Sequence, residues 1–487
     1  MLFSFSGIAD YHHRLRNGST TCLNAVHYYL DAIERNRRLN AVVNVFGEDA
    51  LKQAAELDAE IQSGKPLRPL HGVVFTIKDV LCYAGHEVTA SSNMLKGFKS
   101  LITSTAVQRL MDAGAIIIGC CNCDEFAMGS TNENSAWGPA LNAADLSKVP
   151  GGSSGGSAVA VQAGLCMISL GSDTGGSVRQ PADFCGVAGL KPTYGRVSRY
   201  GLIAYGSSFD CIGVFGKLVE DIALVYETMA GKDPLDATTL NLPVERLSEN
   251  PAPTQKRYRF AYLDATLSLP GLDPEIKNAF LNLFETLKAE GHTVEAVPFD
   301  LIDYIVPTYY VLTTAEASSN LSRYDGVRYG HQAPLSTNDL TEFYKRNRSG
   351  GFGNEVKRRI LLGSFVLSSG YYDAYFSKAQ QVRRLVYNKI SSVFRQFDAI
   401  LMPVSPTTAL PLGGHKSDPV AIYLADIYTV FANLTGIPGL AIPGFRHTNG
   451  MPFGLQVMTN HANELPLHQI GKYIEGLINT PGDIILG

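Results

Sequence analysis

Residues 150–181 read PGGSSGGSAVAVQAGLCMISLGSDTGGSVRQP. Two glycine–serine turns, GGSSGGS at 151–157 and SDTGGS at 172–177, bracket a short apolar run. Glycine alone tolerates positive φ and has no Cβ to block approach, so turns of this composition bring bare backbone close to another group. Residues 166–170 read as a buried strand leading directly into the second turn, and 157–163 as a helix continuing the first. Upstream, 73–77 is another short apolar run, and Lys78 stands at its C-terminal end.

Working outward, helix and strand patterns alternate along the whole chain. Leu23, Val26, Leu30 and Ile33 recur at helical spacing after the cap candidates Ser19, Thr20 and Thr21. A helix is expected from Glu48 to Gly64, another over 105–113, and a strand over 115–118. The second half repeats the pattern. Strands are expected at 258–262, 399–404, 440–442 and 454–458. Ile276, Phe280, Phe284 and Leu287 mark an amphipathic helix, and 371–397 reads as one long helix. Such alternation predicts an α/β sheet covered by helices on both faces. Residues 241–255 are rich in Pro and Asn and read as an exposed connection, not a boundary, so 1–487 is taken as a single domain.

The 487 residues carry a net charge of −4, with Lys and Arg spread along the chain. No basic footprint of a nucleic-acid binder is visible. No stretch approaches the apolar length of a membrane span, and the N-terminus lacks the features of a signal peptide, so a cytoplasmic protein is expected. All eight cysteines fall in the first half. The cluster Cys120, Cys121 and Cys123 has no second cluster to complete a zinc site, so no metal is expected and buried free thiols are the reading.

Three chemistries compete for the glycine–serine segment. Gly151 and Gly156 have P-loop spacing, but Ser157 occupies the place of the required lysine. Residues 151–155 fit the G-x-S-x-G elbow literally. That elbow needs a strand before it, and 142–150 (NAADLSKVP) is polar and ends in proline. The third reading makes both turns parts of one site with Ser177 as nucleophile. Glycines just before a serine leave successive N–H groups facing one space, a nest for a developing oxyanion. Serine needs a base, and Ser–Lys pairs are an alternative to Ser–His–Asp. Burial at a strand end disfavours an ammonium and would make Lys78 a usable base. The residues alone leave Lys78 open between that role and a surface lysine paired with Asp79. No S-x-x-K occurs, which excludes the β-lactamase arrangement.

Five strings together resemble the amidase signature family: GVVFTIKDV at 72–80, DEFAMGSTNENSAWGP at 124–139, PGGSSGGSAVAV at 150–161, LGSDTGGSVRQPA at 170–182 and GLKPTYGRVSRYGL at 189–202. The resemblance spans nearly the whole chain. It implies a mixed central β-sheet covered by helices on both faces and a Ser–cis-Ser–Lys triad. Carried over by motif, Ser177 is the nucleophile, Ser153 the bridging serine behind a cis Gly152–Ser153 peptide, and Lys78 the base. The implied oxyanion donors are the backbone N–H groups of Thr174, Gly175, Gly176 and Ser177. Ser154 is expected to be a backbone hydrogen-bonder.

The second half resembles the branch of that family that serves tRNA-dependent amidotransferases as their glutaminase. The strings are EASSNLSRYDGVRYG at 316–330, residues 351–383 and residues 423–439. An arginine fork suits an α-carboxylate and an aspartate an α-ammonium. The resemblance puts these at Arg359 and Asp426, with Tyr309 lining the pocket. Arg358 and Tyr310 leave a one-position ambiguity. It further implies two partner subunits, B and C, in a heterotrimer. ATP and Mg2+ would be used by the partner, which would also hold the misacylated tRNA, and this chain would carry no cofactor. A free-standing amidase for another small amide is the alternative, and an inactive scaffold the third.

Overall fold

Val74–Lys78, the run that ends in the candidate base, is buried at all five positions. Continuous burial marks a central strand flanked on both sides and covered on both faces. The computed structural model describes residues 3–250, 256–334, 339–414 and 425–478. The end of the Pro- and Asn-rich connection, 251–255, lies outside the described residues.

The first half runs α1 (Ile8–Arg16), α2 (Cys22–Arg35), β1 (Val42–Val45), α3 (Gly47–Gln62), β2 (Val74–Lys78), α4 (Thr105–Asp112) and β3 (Ile116–Cys121). It continues through α5 (Gly155–Gln162), β4 (Ile168–Asp173), α6 (Arg179–Cys185), β5 (Ala188–Lys191), β6 (Cys211–Gly216) and α7 (Val219–Met229). The second half comprises β7 (Arg259–Leu263), α8 (Pro274–Ala289), β8 (Thr293–Val297), α9 (Ile302–Asn320), α10 (Leu340–Gly351), α11 (Asn354–Val366) and α12 (Lys378–Val393). It ends with β9 (Ala399–Pro403), α13 (Val430–Thr435), β10 (Gly439–Arg446), β11 (Pro452–Met458) and α14 (Glu464–Ile478).

The eleven strands among the described residues form one sheet, in the order β1-β3-β2-β4-β6-β5-β10-β11-β9-β7-β8. It is mixed: β2 runs parallel to β3 and β4, and β7 parallel to β8 and β9, while β4–β6, β6–β5 and β10–β11 are antiparallel. Helices cover both faces, the α/β architecture expected. Local signals behave as read. Thr21 caps α2 by accepting from the Asn24 N–H (3.0 Å), and Asp273 caps α8 with Pro274 at its first turn.

Several elements differ from expectation: β3 runs on to Cys121 and β10 to Arg446, and two further differences bear on the site and its surface. β4 starts and ends later than 166–170, so Ser172 and Asp173 are strand residues and not part of the turn. The reason is its antiparallel pairing with β6, which extends to Asp173 opposite Cys211. The long helix at 371–397 opens with a π-helical stretch, Asp373–Ser377, none of it buried, before α12 proper.

The register of the sheet assembles the site. β2 and β4 are parallel neighbours, with Ile77 opposite Leu170, so their C-terminal ends reach the same edge. α5 is buried along its whole length. Its glycines allow this, because a Cβ on Gly156 would overlap the backbone of Asn122 and Ala41. The turn that enters α5 is thereby brought to the ends of β2 and β4.

Candidate active site

Lys78 is fully buried, and its Nζ lies 2.7 Å from Ser153 Oγ and 2.9 Å from Ser172 Oγ. Asp79 faces elsewhere, accepting from the N–H groups of Thr89 (2.9 Å) and Ser91 (2.8 Å). Lys78 is therefore not a surface lysine paired with Asp79. Burial lowers its pKa from 10.5 to about 8, although Asp124, Asp173 and Asp210 pull the other way. The desolvation of the ammonium outweighs three nearby carboxyls because no carboxylate touches Nζ directly.

Ser153 follows a cis Gly152–Ser153 peptide. No strand precedes this turn, as an elbow would require. The turn is held from several sides. Gly152 N–H donates to Gln180 Oε1 (2.9 Å), Asp124 N–H to Ser153 O (3.1 Å), and Ser154 N–H to Ser177 O (3.2 Å). Ser154 Oγ donates to Ser172 O (3.1 Å), the backbone role expected of it. A Cβ on Gly152 would overlap the Asp124 carboxylate, so only glycine fits beside it. Asp124 accepts from Asn132 N–H (2.9 Å) and Asn134 N–H (3.1 Å), and its burial raises its pKa to about 6.

The second turn, 174–178, leaves the end of β4. Gly176 has φ +124°, a conformation other residues rarely adopt. Among the described residues, the N–H groups of Thr174, Gly175 and Ser177 have no acceptor, and neither does the hydroxyl of Ser177, a residue of the cavity wall. Gly176 departs from expectation: its N–H is taken by Asp173 Oδ1 (2.8 Å), which leaves three free amides of the four implied. The physical reason is the late end of β4, which puts the Asp173 carboxylate under the turn. Asp173 also accepts from Val178 N–H (3.2 Å) and from Arg179 Nε (3.1 Å) and Nη2 (3.0 Å). Burial works to raise this carboxyl, but the Arg179 guanidinium prevails and holds it at about 2. Arg179, itself fully buried, donates onward to Thr429 O (2.8 Å), Gln456 Oε1 (2.9 Å) and Asn433 Oδ1 (2.7 Å).

The far wall comes from the second half. The cavity is lined by Ser130, Gly152, Gly175, Gly176, Ser177, Tyr205, Tyr309, Arg359 and Asp426. Tyr309, on α9, packs on Gly175, where a Cβ would collide with its ring. Tyr310 instead donates its hydroxyl to Asp426 Oδ2 (2.6 Å). Ser130 Oγ donates to Asp426 Oδ1 (3.0 Å). Burial raises the Asp426 carboxyl to about 6, opposed by these bonds and by Arg359. Arg359, on α11, is 3% exposed and donates Nη1 to Tyr205 OH (2.8 Å) and Nε to Glu355 Oε1 (2.8 Å). Arg358 points outward with its side chain 46% exposed. Tyr309 and Arg359 thus line the cavity, while Tyr310 stands behind Asp426 and Arg358 is outside.

Sequence reasoning passed over Ser130, Ser172, Asp173, Arg179, Tyr205 and Asp210. Asp173 and Arg179 lie in the opening stretch, and charges flanking a nucleophile turn were the available signal. Tyr205 carried none, since a tyrosine in RYGLIAYGSS is more often core. All eight cysteines are buried, and burial pushes the thiols of Cys120, Cys121 and Cys123 up from their ordinary pKa. Among the described residues, no group of His, Cys, Asp or Glu is arranged to hold a metal ion. No helix there is long and apolar enough to cross a membrane.

A family model, Amidase, matches residues 24–467. The chain belongs to the amidase family. Among its relatives is the A subunit of a glutamyl-tRNA(Gln) amidotransferase from Acidobacterium capsulatum, 49% identical over 464 residues, 95% of this chain and 97% of the other. The crystal structure of the corresponding glutamyl-tRNA(Gln) amidotransferase chain from Thermotoga maritima superposes with a TM-score of 0.75 at 36% identity, covering 94% of each chain. A peptide amidase from Stenotrophomonas maltophilia superposes with a TM-score of 0.81 at 30% identity, covering 98% of this chain and 97% of the other. The fold is therefore shared by amidases of different substrates, and backbone similarity does not separate them. Sequence identity is higher to the amidotransferase chains, 49% and 36%, than to the peptide amidase, 30%.

Proposed function

We propose that this chain is the glutaminase subunit of a glutamine-hydrolysing, tRNA-dependent amidotransferase. The observation that carries the reading is the cavity itself. Ser177 lines the same small space as one buried cation, Arg359, and one buried anion, Asp426, and Ser153, bonded to Lys78, follows Gly152 of the cavity wall. That pairing suits a free zwitterionic amino acid bearing a side-chain amide. The amidotransferase relatives at 49% identity support glutamine as that amino acid.

In this mechanism Arg359 holds the α-carboxylate and Asp426 the α-ammonium, with Tyr309 against the side chain. The neutral Lys78 amine keeps a donor on Ser172 and takes a proton from Ser153. Ser153 takes the proton of Ser177, whose Oγ bonds to the amide carbon. Thr174, Gly175 and Ser177 N–H groups stabilise the oxyanion, each donor contributing about 3 kcal/mol. Collapse returns the proton through Ser153 to the leaving nitrogen. Ammonia departs, and a glutamyl ester remains on Ser177. Water then attacks the ester, Lys78 again taking the proton, and glutamate leaves.

The ammonia serves a second subunit that uses ATP and Mg2+ to activate misacylated glutamyl- or aspartyl-tRNA. A third subunit completes a cytoplasmic heterotrimer. The test is to co-purify the assembly and assay transamidation of both misacylated tRNAs. Ser177→Ala should abolish the glutamine-dependent reaction and leave the ammonia-dependent one intact. Cleavage of other amides with glutamine ignored in the full mixture would favour a free-standing amidase instead.

A further inference from the structure

The wall of the cavity opposite the far helices is tied to the nucleophile turn by one carboxylate. Asp210 lies just before β6, beside Thr174, because β4 and β6 pair antiparallel with Asp173 opposite Cys211. Asp210 is 2% exposed. Its Oδ1 accepts from Thr174 Oγ1 (2.6 Å) and Gly206 N–H (3.1 Å), and its Oδ2 from Tyr205 N–H (3.0 Å). Tyr205 is 1% exposed, and its carbonyl accepts from Asn320 Nδ2 (3.1 Å), so its backbone is held at both ends. Its hydroxyl reaches Arg359 Nη1 (2.8 Å), and the guanidinium stands over its ring at 5.6 Å. A continuous chain, Thr174–Asp210–Tyr205–Arg359, therefore links an oxyanion donor to the buried cation.

We propose that Tyr205, anchored by Asp210, is a specificity-determining residue that sets the distance from Ser177 to the Arg359 guanidinium and so selects the side-chain length of the ω-amide amino acid. This rests on the reading of the site as a glutaminase. Glutamine and asparagine carry the same charged groups and the same amide and differ by one methylene, about 1.5 Å of reach. Arg359 on a flexible stem would follow either substrate. Pinned at Nη1 by a buried tyrosine and at Nε by Glu355, it holds one reach. One methylene is discriminated by roughly 10–200-fold where a pocket is rigid.

The test uses the co-purified complex, with kcat/KM measured for glutamine and for asparagine by formation of glutamate or aspartate. Tyr205→Phe keeps the ring and removes the hydroxyl. The ratio of glutamine to asparagine efficiency should fall about tenfold, mainly through a higher KM for glutamine. Asp210→Asn turns an amide donor toward the Tyr205 N–H or the Thr174 hydroxyl and should lower the ratio in the same direction. A general loss of folding would reduce both substrates together, so the ratio separates positioning from stability. A ratio that falls less than about threefold in both variants overturns the proposal. If the wild-type complex itself fails to hydrolyse glutamine, the glutaminase reading fails instead, and the two failures are told apart by that one control.

Discussion

The burial of Lys78 predicts the pH profile of the reaction. Held at its ordinary 10.5, about 0.03% of the amine would be neutral at pH 7, whereas at about 8 the share is about 9%, a gain of roughly 300-fold in usable base. With glutamine saturating, kcat should rise about tenfold per unit below pH 8 and level off above it. Glutamate formation between about pH 6.5 and 9.5 is the measurement, since it does not depend on the protonation of ammonia. The nearby carboxyls Asp124, Asp210 and Asp426 lie at about 6, below the inflection expected from Lys78. The same shift has a cost in stability. A lysine whose folded pKa lies below its unfolded one binds fewer protons when folded, so stability rises with pH between about 8 and 10.5. Below that window the cost is about 3 kcal/mol. Lys78→Met should therefore lose activity by roughly 10²–10⁴-fold and unfold at a higher denaturant midpoint at pH 7. A kcat that is flat from about pH 7 to 9.5, or one still rising about tenfold per unit at about pH 9.5, would refute the assignment of Lys78 as a desolvated base.

Other outcomes follow from the same geometry. Asp426 must be ionised to hold an ammonium, so KM for glutamine should rise about tenfold per unit as pH falls below about 6, measured by initial rates at several glutamine concentrations. Asp173→Ala leaves the buried Arg179 unpaired and should cost about 3–5 kcal/mol in urea unfolding. The wild-type Asp173 carboxyl, held at about 2 and so below its ordinary 3.8, contributes roughly 2 kcal/mol above about pH 4, lost progressively as pH falls toward 2; acid titration of unfolding checks this. Gly175→Ala drives a methyl into the Tyr309 ring and should lower kcat/KM for glutamine, with a shifted Tyr309 visible in a crystal structure of the variant.

Much of the fold was legible because apolar periodicity is a local property. The runs that became β2 and α2 and the pattern of α8 were each readable from side-chain spacing alone. The boundaries of β4 were not, because its extension to Asp173 depends on pairing with β6, far along the chain. That extension had a consequence for the site. It placed Asp173 under the nucleophile turn and occupied the Gly176 amide, which composition could not reveal. The one-position ambiguities had the same origin. Adjacent residues on a helix differ by about 100° in direction, and only packing decides which faces inward. Hence Arg359 and Tyr309 meet the cavity, while Arg358 lies in solvent and Tyr310 braces Asp426.

The sequence by itself determined the residue types of the chemistry: a lysine at a strand end, two glycine–serine turns and a serine after a Gly-Gly pair. These are contiguous strings whose backbone demands are local. The tertiary structure decided what those residues are to one another. Parallel pairing of β2 with β4 buried Lys78 beside Ser153 and Ser172, and water was excluded from the amine only there. Antiparallel pairing of β4 with β6 brought Asp210 to Thr174, and the placement of α11 brought Arg359 to Tyr205. Charge, reach and desolvation depend on distances between segments far apart in the chain, and those distances exist only once the sheet has formed.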